Sequence, residues 1–159
     1  MSVNYANCCR NILPVVPRAT VEFGADTARA IGSILFTGTA TRYPDIRFIF
    51  SHGGGTIPML TGRIDDLTKG VKALRDNVPE GVPAQIAKIY VDTAGAFHPG
   101  AMAATLAVLP PDHVLYGSDF PYSSSSEAIA GLGANKLDPR VLAGIERGNA
   151  LALFPSLRG

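Results

Sequence analysis

The sequence has few charged residues and few cysteines, and each scarcity excludes a class of function. Asp, Glu, Lys and Arg make up 17% of the 159 residues, and the net charge is +1. This balance gives no electrostatic reason to expect binding to nucleic acid or to an anionic membrane surface. The two cysteines, Cys8 and Cys9, are adjacent, which disfavours a disulfide between them and does not match zinc-ligand spacing. We therefore expect a reduced, cytoplasmic protein.

Long apolar segments are missing as well. No apolar run reaches the roughly 18 residues of a membrane span, and Met1–Arg10 lacks the apolar core of a signal peptide. The hydrophobic share of 47% is typical of a compact folded chain rather than a disordered one. The length favours a single domain. We expect an irregular N-terminal arm over residues 1–22 and a folded domain over residues 23–159.

Three apolar runs are interpreted as buried strands, at Ile46–Ser51, Ile89–Asp92 and Val114–Ser118. In the first run, apolar residues occupy both odd-numbered and even-numbered positions, as in strands of a parallel sheet that is covered on both faces. Helical patterns precede, separate and follow these runs. The alternation predicts an α/β fold in which the three strands are adjacent and parallel, with right-handed crossovers and helices packed on one side.

Helix boundaries are predicted from caps and apolar spacing. Asp26 or Thr27 is expected to cap the first helix. Ser123–Ser126 is interpreted as a polar loop, Gly148 as the end of the last long helix, and Asn149 as the cap of a short final turn. The amphipathic helix after the first strand is expected to bury a series of apolar residues, namely Leu60, Ile64, Leu67, Val71 and Leu74.

Each predicted strand ends in a polar residue: His52, Asp92 and Asp119. The carboxyl ends of parallel strands lie at one edge of a sheet, so these side chains are expected to converge there. A histidine with two carboxylates suits a divalent metal or general acid–base chemistry. The alternative is structural, since a strand-end aspartate often caps the following segment, and Asp92 before Thr93–Gly95 matches that role.

Glycines surround the predicted strand ends. Gly53–Gly55 follow His52 and would let backbone N–H groups and the imidazole approach a ligand. A phosphate-loop interpretation is weak because neither nucleotide-binding glycine motif is present, and no nucleophile elbow exists. Gly117 is expected to leave room beneath the Asp119 carboxylate. The two other histidines, His98 and His113, are interpreted as surface or capping residues.

Several of these segments resemble one known family. Arg42–Gly55, Tyr90–Gly95 and Leu115–Tyr122 are similar to the sixth, seventh and eighth strand segments of the amidohydrolase-related metal-dependent hydrolases, and Gly148–Pro155 resembles their closing helix. The resemblance is to the branch that contains aminocarboxymuconate semialdehyde decarboxylase and the dihydroxybenzoate-type decarboxylases. The motifs agree in order and spacing over residues 21–155, which makes the match specific.

The resemblance implies a (β/α)₈ TIM barrel with one zinc or manganese ion at its C-terminal mouth. The family's metal ligands are an H-x-H pair on the first strand, a histidine on the fifth and an aspartate on the eighth. Carried across by motif, His52 is the catalytic acid–base residue and Asp119 is the metal ligand of the eighth strand. The candidate site-lining residues are Asp92, Gly53, Gly54 and Phe120.

The chain departs from the family pattern in its ligands and its length. It contains no H-x-H motif, and none of its three histidines stands at a fifth-strand position. A barrel takes about 250 residues, so the match covers only the C-terminal part. Two functions stay open. One is a metal-dependent hydrolase or carboxy-lyase acting on a small carboxylated or cyclic substrate, with zinc or manganese. The other is a non-catalytic half-barrel, without metal, that serves as an assembly or interaction module.

Three strands cannot close a barrel, so the outer strands keep unpaired backbone groups. The face that would line the barrel is expected to be apolar and uncovered. We therefore expect a second copy, a partner chain or residues 1–22 to cover it. The residues predicted on this face are Phe48, Phe50, Tyr90 and Leu115.

Overall fold

The structure is a computed structural model that describes residues 15–158. Its three strands are β1 (Ile49–Phe50), β2 (Tyr90–Asp92) and β3 (Val114–Leu115). Its α-helices are α1 (Glu22–Phe36), α2 (Thr39–Arg42), α3 (Ile57–Gly70), α4 (Lys72–Arg75), α5 (Val82–Ile86), α6 (Pro99–Val108), α7 (Ser125–Gly133), α8 (Pro139–Ala143) and α9 (Asn149–Leu153). Short 3₁₀ turns occur at Arg18–Thr20, His52–Gly54, Pro111–His113 and Pro155–Arg158, and a π-helical turn spans Gly144–Gly148.

The strands form one sheet in the order β1-β2-β3, and both pairs are parallel. The predicted α/β arrangement of adjacent parallel strands is confirmed. Each regular strand is shorter than its predicted run. Backbone pairing nevertheless extends past the ladder at both ends, since the Tyr90 N–H donates to the Phe48 carbonyl at 2.9 Å and the Thr93 N–H to the Leu115 carbonyl at 3.0 Å.

The hydrophobic core lies between the sheet and the helices that connect its strands. Val91 and Val114 are partners in register and are both buried. Burial of this continuous apolar surface is the main stabilising contribution. The large side chains that fill the core come from helices along the whole described chain and include Ile31, Leu35, Ile57, Ile86, Met102, Leu132 and Ile145.

The prediction for the open face of the sheet is wrong for the side of Phe50 and for the exposure of Leu115. Phe50 is the register partner of Val91 and packs against the helix-side core. The face away from the helices carries the neighbouring register pair, Ile49 and Tyr90, and Ile49 is 42% exposed. Leu115 is the register partner of Asp92 and lies on this same face, as predicted, but only 7% of its surface is exposed. In the run Ile46–Ser51, odd-numbered and even-numbered positions both carry apolar residues. The pattern alone therefore does not determine which side of the strand faces the helices.

The first helix begins earlier than its predicted cap. α1 starts at Glu22, and its N-cap position is Val21, which makes no side-chain cap hydrogen bond. Asp26 therefore lies inside the helix, where its carboxylate pairs with Arg29 one turn later. Of the predicted arm, residues 1–14 lie outside the described residues, and the domain boundary at residue 22 stays a prediction.

The buried stripe of α3 differs from the predicted one. Leu67 is 58% exposed and Val71, just past the end of the helix, is 47% exposed, so both were assigned to the wrong side. Thr61 and Thr68 are buried instead, and Ile64 packs against the core between them. The two threonine hydroxyls donate to backbone carbonyls of the preceding turn at 2.9 and 2.7 Å. Such local hydrogen bonds remove the cost of burying a hydroxyl, which a hydrophobic pattern cannot reveal.

The predicted polar loop at Ser123–Ser126 is wrong, because helix α7 begins within it. The Ser124 hydroxyl accepts from the Glu127 N–H at 3.2 Å, and the Glu127 carboxylate accepts from the Ser124 N–H at 3.3 Å. This is a capping box, and its S-x-x-E signature was present in the sequence.

The C-terminal helices also continue where an end was predicted. Gly148 keeps helical torsion angles, and the chain runs through a π-helical turn into α9. Asn149 is buried, and its side-chain amide donates to the carbonyls of Pro111 at 2.9 Å and Val114 at 2.7 Å. The residue therefore anchors the C-terminal helices to the start of β3 and does not cap a final turn. No helix in the described part of the chain is long and apolar enough to cross a membrane.

Candidate functional site

A cavity of about 920 Å³ lies at the carboxyl ends of the strands. Its wall includes the loops that follow β1 and β3, together with the start of α1 and one side of α6. His52 and Asp119 both line it, and both are partly buried. Most of the remaining wall is small or apolar, with Phe23, Met59, Ala101 and Ala104 among its members.

His52 is held in an unusual backbone conformation. Its φ of 59° lies in the left-handed region, which costs a residue with a side chain about 1 kcal/mol or more. Its N–H donates to Asp92 Oδ1 at 2.9 Å, and its carbonyl accepts from the Gly55 N–H at 2.9 Å. Within residues 15–158, the buried Nδ1 of the imidazole has no hydrogen-bond partner. A buried polar atom of this kind is costly unless a ligand, ion or water satisfies it.

The three glycines after His52 allow close packing of the loop. A Cβ on Gly55 would lie 2.1 Å from the Gly24 carbonyl oxygen in α1, and a Cβ on Gly53 would lie 2.9 Å from the Ala96 Cβ. Gly53 lines the cavity. Gly54, also proposed as a lining residue, is buried against Val91. The main role of the run is therefore to let the loop approach α1 and the end of β2.

Asp92 connects two of the strand ends. Its Oδ1 accepts from the N–H of His52 at 2.9 Å and from the N–H of Ala94 at 3.0 Å. The bond to Ala94 is the local capping contact that the sequence suggested, and the bond to His52 reaches a neighbouring strand. Burial raises the pKa of the Asp92 carboxyl above its ordinary value of 3.8, and the two backbone hydrogen bonds oppose that shift.

Gly117 makes room for a different carboxylate from the one expected. A Cβ at this position would lie 3.0 Å from both Cβ and Cγ of Asp92. The space therefore accommodates Asp92 on the neighbouring strand rather than Asp119 on its own. Cross-strand neighbours are set by the register of the sheet, which the local sequence does not specify.

Asp119 lies at the start of the exposed loop after β3. Its φ is 63°, and its carbonyl accepts from the N–H groups of Tyr122 at 2.8 Å and Ser123 at 3.1 Å. Phe120, a proposed lining residue, is 77% exposed and is absent from the cavity wall as formed by the described residues. Tyr122 does line the cavity and is 90% exposed. An apolar or polar pattern does not distinguish this residue, although it ends the segment that resembles the family's eighth strand.

The other two histidines lie in different surroundings. His98 is exposed, as expected. His113 is partly buried. Its ring stacks on Tyr90 with a centroid distance of 4.1 Å, and its Nδ1 lies 3.1 Å from the Ile89 carbonyl oxygen. It packs beside the starts of β2 and β3, at the opposite end of the sheet from His52.

The donor set for a metal ion is partial. Asp119 and His52 both line the cavity, and a carboxylate and an imidazole are ligand types that zinc and manganese accept. Asp92 already uses Oδ1 for two backbone N–H groups. Residues 15–158 hold no group of three or more potential ligands arranged around one point. This part of the chain therefore supplies part of a metal site and not a closed one.

The chain is similar to enzymes that decarboxylate aromatic acids. The 6-methylsalicylic acid decarboxylase of Penicillium expansum is 31% identical over 148 residues, which cover 91% of this chain and 45% of that protein. The structure of 2,6-dihydroxybenzoate decarboxylase from Rhizobium superposes with a TM-score of 0.81 at 22% identity, covering 98% of this chain and 50% of that one. A dihydroxybenzoic acid decarboxylase from Polaromonas sp. JS666, solved with manganese and 2-nitroresorcinol, superposes with a TM-score of 0.73 at 22% identity, covering 86% and 42%.

These structural neighbours are TIM barrels, and this chain superposes on about half of each. The match agrees with the predicted fold, which is the C-terminal part of such a barrel. The chain spans less than half the length of the curated relatives that it matches first, 44% and 45%. The sequence profile described as amidohydrolase matches residues 3–156. The chain therefore belongs to the amidohydrolase family.

Proposed function

We propose that this chain supplies the C-terminal part of the active site of a metal-dependent decarboxylase that acts on small aromatic carboxylates. The observation that carries the proposal is the position of His52 and Asp119 on one cavity wall, at the carboxyl ends of parallel strands. This is the edge at which α/β barrels hold their catalytic residues. Similarity to decarboxylases of 6-methylsalicylic and dihydroxybenzoic acids supports the substrate class.

His52 is the residue proposed to move the proton. In decarboxylation the bond between the ring carbon and the carboxylate breaks, CO₂ leaves, and a proton takes its place on the ring carbon. An imidazole exchanges protons readily near neutral pH. The buried Nδ1 of His52 has no partner within residues 15–158, and the residue lines a cavity whose wall is apolar at Phe23 and Met59. Such walls suit the faces of an aromatic substrate.

Asp119 is the proposed metal ligand of this chain. Zinc or manganese would act as a Lewis acid that holds a substrate oxygen. Because residues 15–158 contain no cluster of three ligands, the other ligands have to come from residues beyond these or from another polypeptide. We expect Asp119→Ala to abolish stoichiometric metal in the purified protein, and Asp112→Ala, at an exposed position before β3, to leave it unchanged.

Turnover tests the proposal directly. Release of CO₂ from 6-methylsalicylate and 2,6-dihydroxybenzoate is measured with added manganese or zinc, for the protein in whatever assembly it forms. We expect His52→Ala to lower the rate about 100-fold or more, in the range for loss of an acid–base group. The matched control is His98→Ala, which removes an exposed histidine. Absence of turnover and of bound metal in the wild-type protein would refute the proposal.

The alternative is a non-catalytic half-barrel that acts as an assembly or interaction module. It is favoured by the two outer strands, each of which pairs on one side only among residues 15–158, and by the exposure of Ile49 on the face away from the helices. Under either function we propose that a second copy or a partner chain covers this face. Sedimentation at micromolar concentration tests the assembly. A stable monomer that binds neither metal nor another chain would contradict both functions.

A further inference from the structure

We propose that Asp92 is a positioning residue for His52. Its carboxylate, seated in the space that Gly117 leaves, holds the His52 backbone in the left-handed conformation that places the histidine on the cavity wall. The catalytic meaning of this arrangement rests on the proposed function, whereas the arrangement itself rests on the contacts of three residues.

One carboxylate oxygen joins the loops after two strands. Asp92 Oδ1 accepts from the His52 N–H at 2.9 Å, across from β2 to the end of β1, and from the Ala94 N–H at 3.0 Å within its own loop. Hydrogen bonds from N–H groups to a carboxylate are stronger than those to a neutral oxygen. The carboxylate therefore fixes where the β1 loop begins relative to β2.

His52 needs such a restraint because its backbone is strained. A residue with a side chain rarely adopts its φ of 59°, and such conformations persist only when the surrounding structure holds them. Asp92 restrains the His52 N–H, and the Gly55 N–H restrains the His52 carbonyl at 2.9 Å. These two hydrogen bonds fix the peptide groups on both sides of the His52 Cα atom.

Gly117 extends the arrangement to the third strand. A Cβ at this position would press on Cβ and Cγ of Asp92 at 3.0 Å. The Gly117 N–H donates to the Thr93 hydroxyl at 3.0 Å, and that hydroxyl lies 3.1 Å from the Gly117 carbonyl oxygen. The end of β3 is thus fixed against Asp92 at the distance that only glycine permits. A side chain at position 117 would displace the carboxylate from His52.

A direct role for Asp92 at the cavity is disfavoured by its placement. Among the described residues, the cavity wall includes His52 and Asp119 but not Asp92. Its Oδ1 is also occupied by two N–H groups. The feature that positioning requires is therefore the acceptor oxygen, which an asparagine would retain. The conservative substitution separates positioning from metal binding or proton transfer, both of which need the carboxylate.

The test uses NMR to measure hydrogen exchange at the His52 amide and the imidazole resonances of His52. The wild-type protein is compared with Asp92→Asn, Asp92→Ala and Gly117→Ala. We expect Asp92→Ala and Gly117→Ala to speed exchange at the His52 amide about tenfold or more, as for a lost hydrogen bond to a charged acceptor. Asp92→Asn should keep that amide protected and shift the amide protons of His52 and Ala94 upfield, because the neutral acceptor is weaker. The control is Asp112→Ala, which should leave His52 unchanged.

Two results would overturn the proposal: an unchanged His52 amide in Asp92→Ala, or an Asp92→Asn variant with no shift at His52 and Ala94. If Asp92→Ala and Gly117→Ala do not fold, the asparagine variant decides alone, since it keeps the acceptor. Because no measurement here uses substrate or metal, the outcome is independent of the turnover assay. Failure of that assay refutes the proposed function, and failure of the NMR test refutes the role of Asp92.

Discussion

The loops that follow β1 and β3 present their key residues in the same backbone conformation but in different surroundings. His52 and Asp119 have φ values of 59° and 63°. The loop after His52 is enclosed, since Gly53 and Gly54 are buried and Gly55 contacts the backbone of α1. The loop after Asp119 lies at the surface, with Phe120 and Tyr122 exposed.

The two loops hold a residue with positive φ in different ways. In the β1 loop, contacts with α1 and the hydrogen bond that the His52 N–H donates to Asp92 hold the conformation. In the β3 loop, the N–H groups of Tyr122 and Ser123 hold the Asp119 carbonyl from within the same turn. The His52 side of the cavity is therefore fixed by the core of this chain, and the Asp119 side by local contacts. We expect substitutions in the first loop to affect stability more than those in the second.

The largest effect is expected at Gly55. In Gly55→Ala the new methyl group would lie 2.1 Å from the Gly24 carbonyl oxygen, in a backbone with φ of 64°. Relief requires moving α1, so we expect a loss of more than about 4 kcal/mol in the free energy of unfolding, or no folding. Denaturant unfolding measures it. Gly62→Ala is the matched control, since it meets open space in α3 and should stabilise by up to about 1 kcal/mol. Equal effects at the two positions would contradict the packing described for the loop.

The next largest effect is expected at Asn149, which links the C-terminal helices to the start of β3. Asn149→Ala removes the donors to the Pro111 and Val114 carbonyls and leaves both oxygens without that partner. We expect a loss of about 2 kcal/mol in the free energy of unfolding. Asn135→Ala is a comparison just after α7, where the side-chain amide donates at 2.7 Å to the carbonyl of Phe97, a residue outside the strands. A negligible change in Asn149→Ala would show that β3 does not depend on the C-terminal helices.

The pH dependence of stability tests the burial of Asp92. Burial raises its pKa above the ordinary value of 3.8, so the folded protein binds this proton more tightly than the unfolded chain. Below the ordinary value both states are protonated, and no penalty exists. As pH rises through the raised pKa, the folded state loses stability relative to the unfolded state. We expect the difference in free energy of unfolding to move in favour of Asp92→Asn between about pH 3 and pH 7. A shift in favour of the wild type would reverse the sign and contradict the account.

A smaller effect is expected at Asp119. Asp119→Gly removes the strain of a φ of 63°, and Asp119→Ala keeps it. Both lose the carboxylate, so their difference isolates the backbone term, for which we expect about 1 kcal/mol in favour of glycine. Thermal unfolding measures the difference. Alanine as stable as glycine would show that the β3 loop relaxes when its side chain changes.

The positions of His52 and Asp119 were predictable because each ends an apolar run, and parallel strands bring such ends together. The capping box at Ser124 is also readable from the sequence, because its S-x-x-E signature begins a helix within the polar run Ser123–Ser126. The placement of Gly117 beside Asp92 was not readable, since a contact between strands depends on their register. The burial of Thr61 in α3 depends on a hydroxyl satisfied within the helix, which an apolar pattern does not show.

We propose that the loops after β1 and β3 contribute to one metal-binding cavity. Titration with Mn²⁺, followed by paramagnetic broadening of amide signals, tests it most directly. We expect the amide signals of Asp119, Tyr122 and His52 to broaden first, because these residues line the same cavity. Asp119→Asn should remove this effect. Broadening that begins at the exposed Asp66 carboxylate in α3, with the cavity unaffected or with no change in Asp119→Asn, would contradict it.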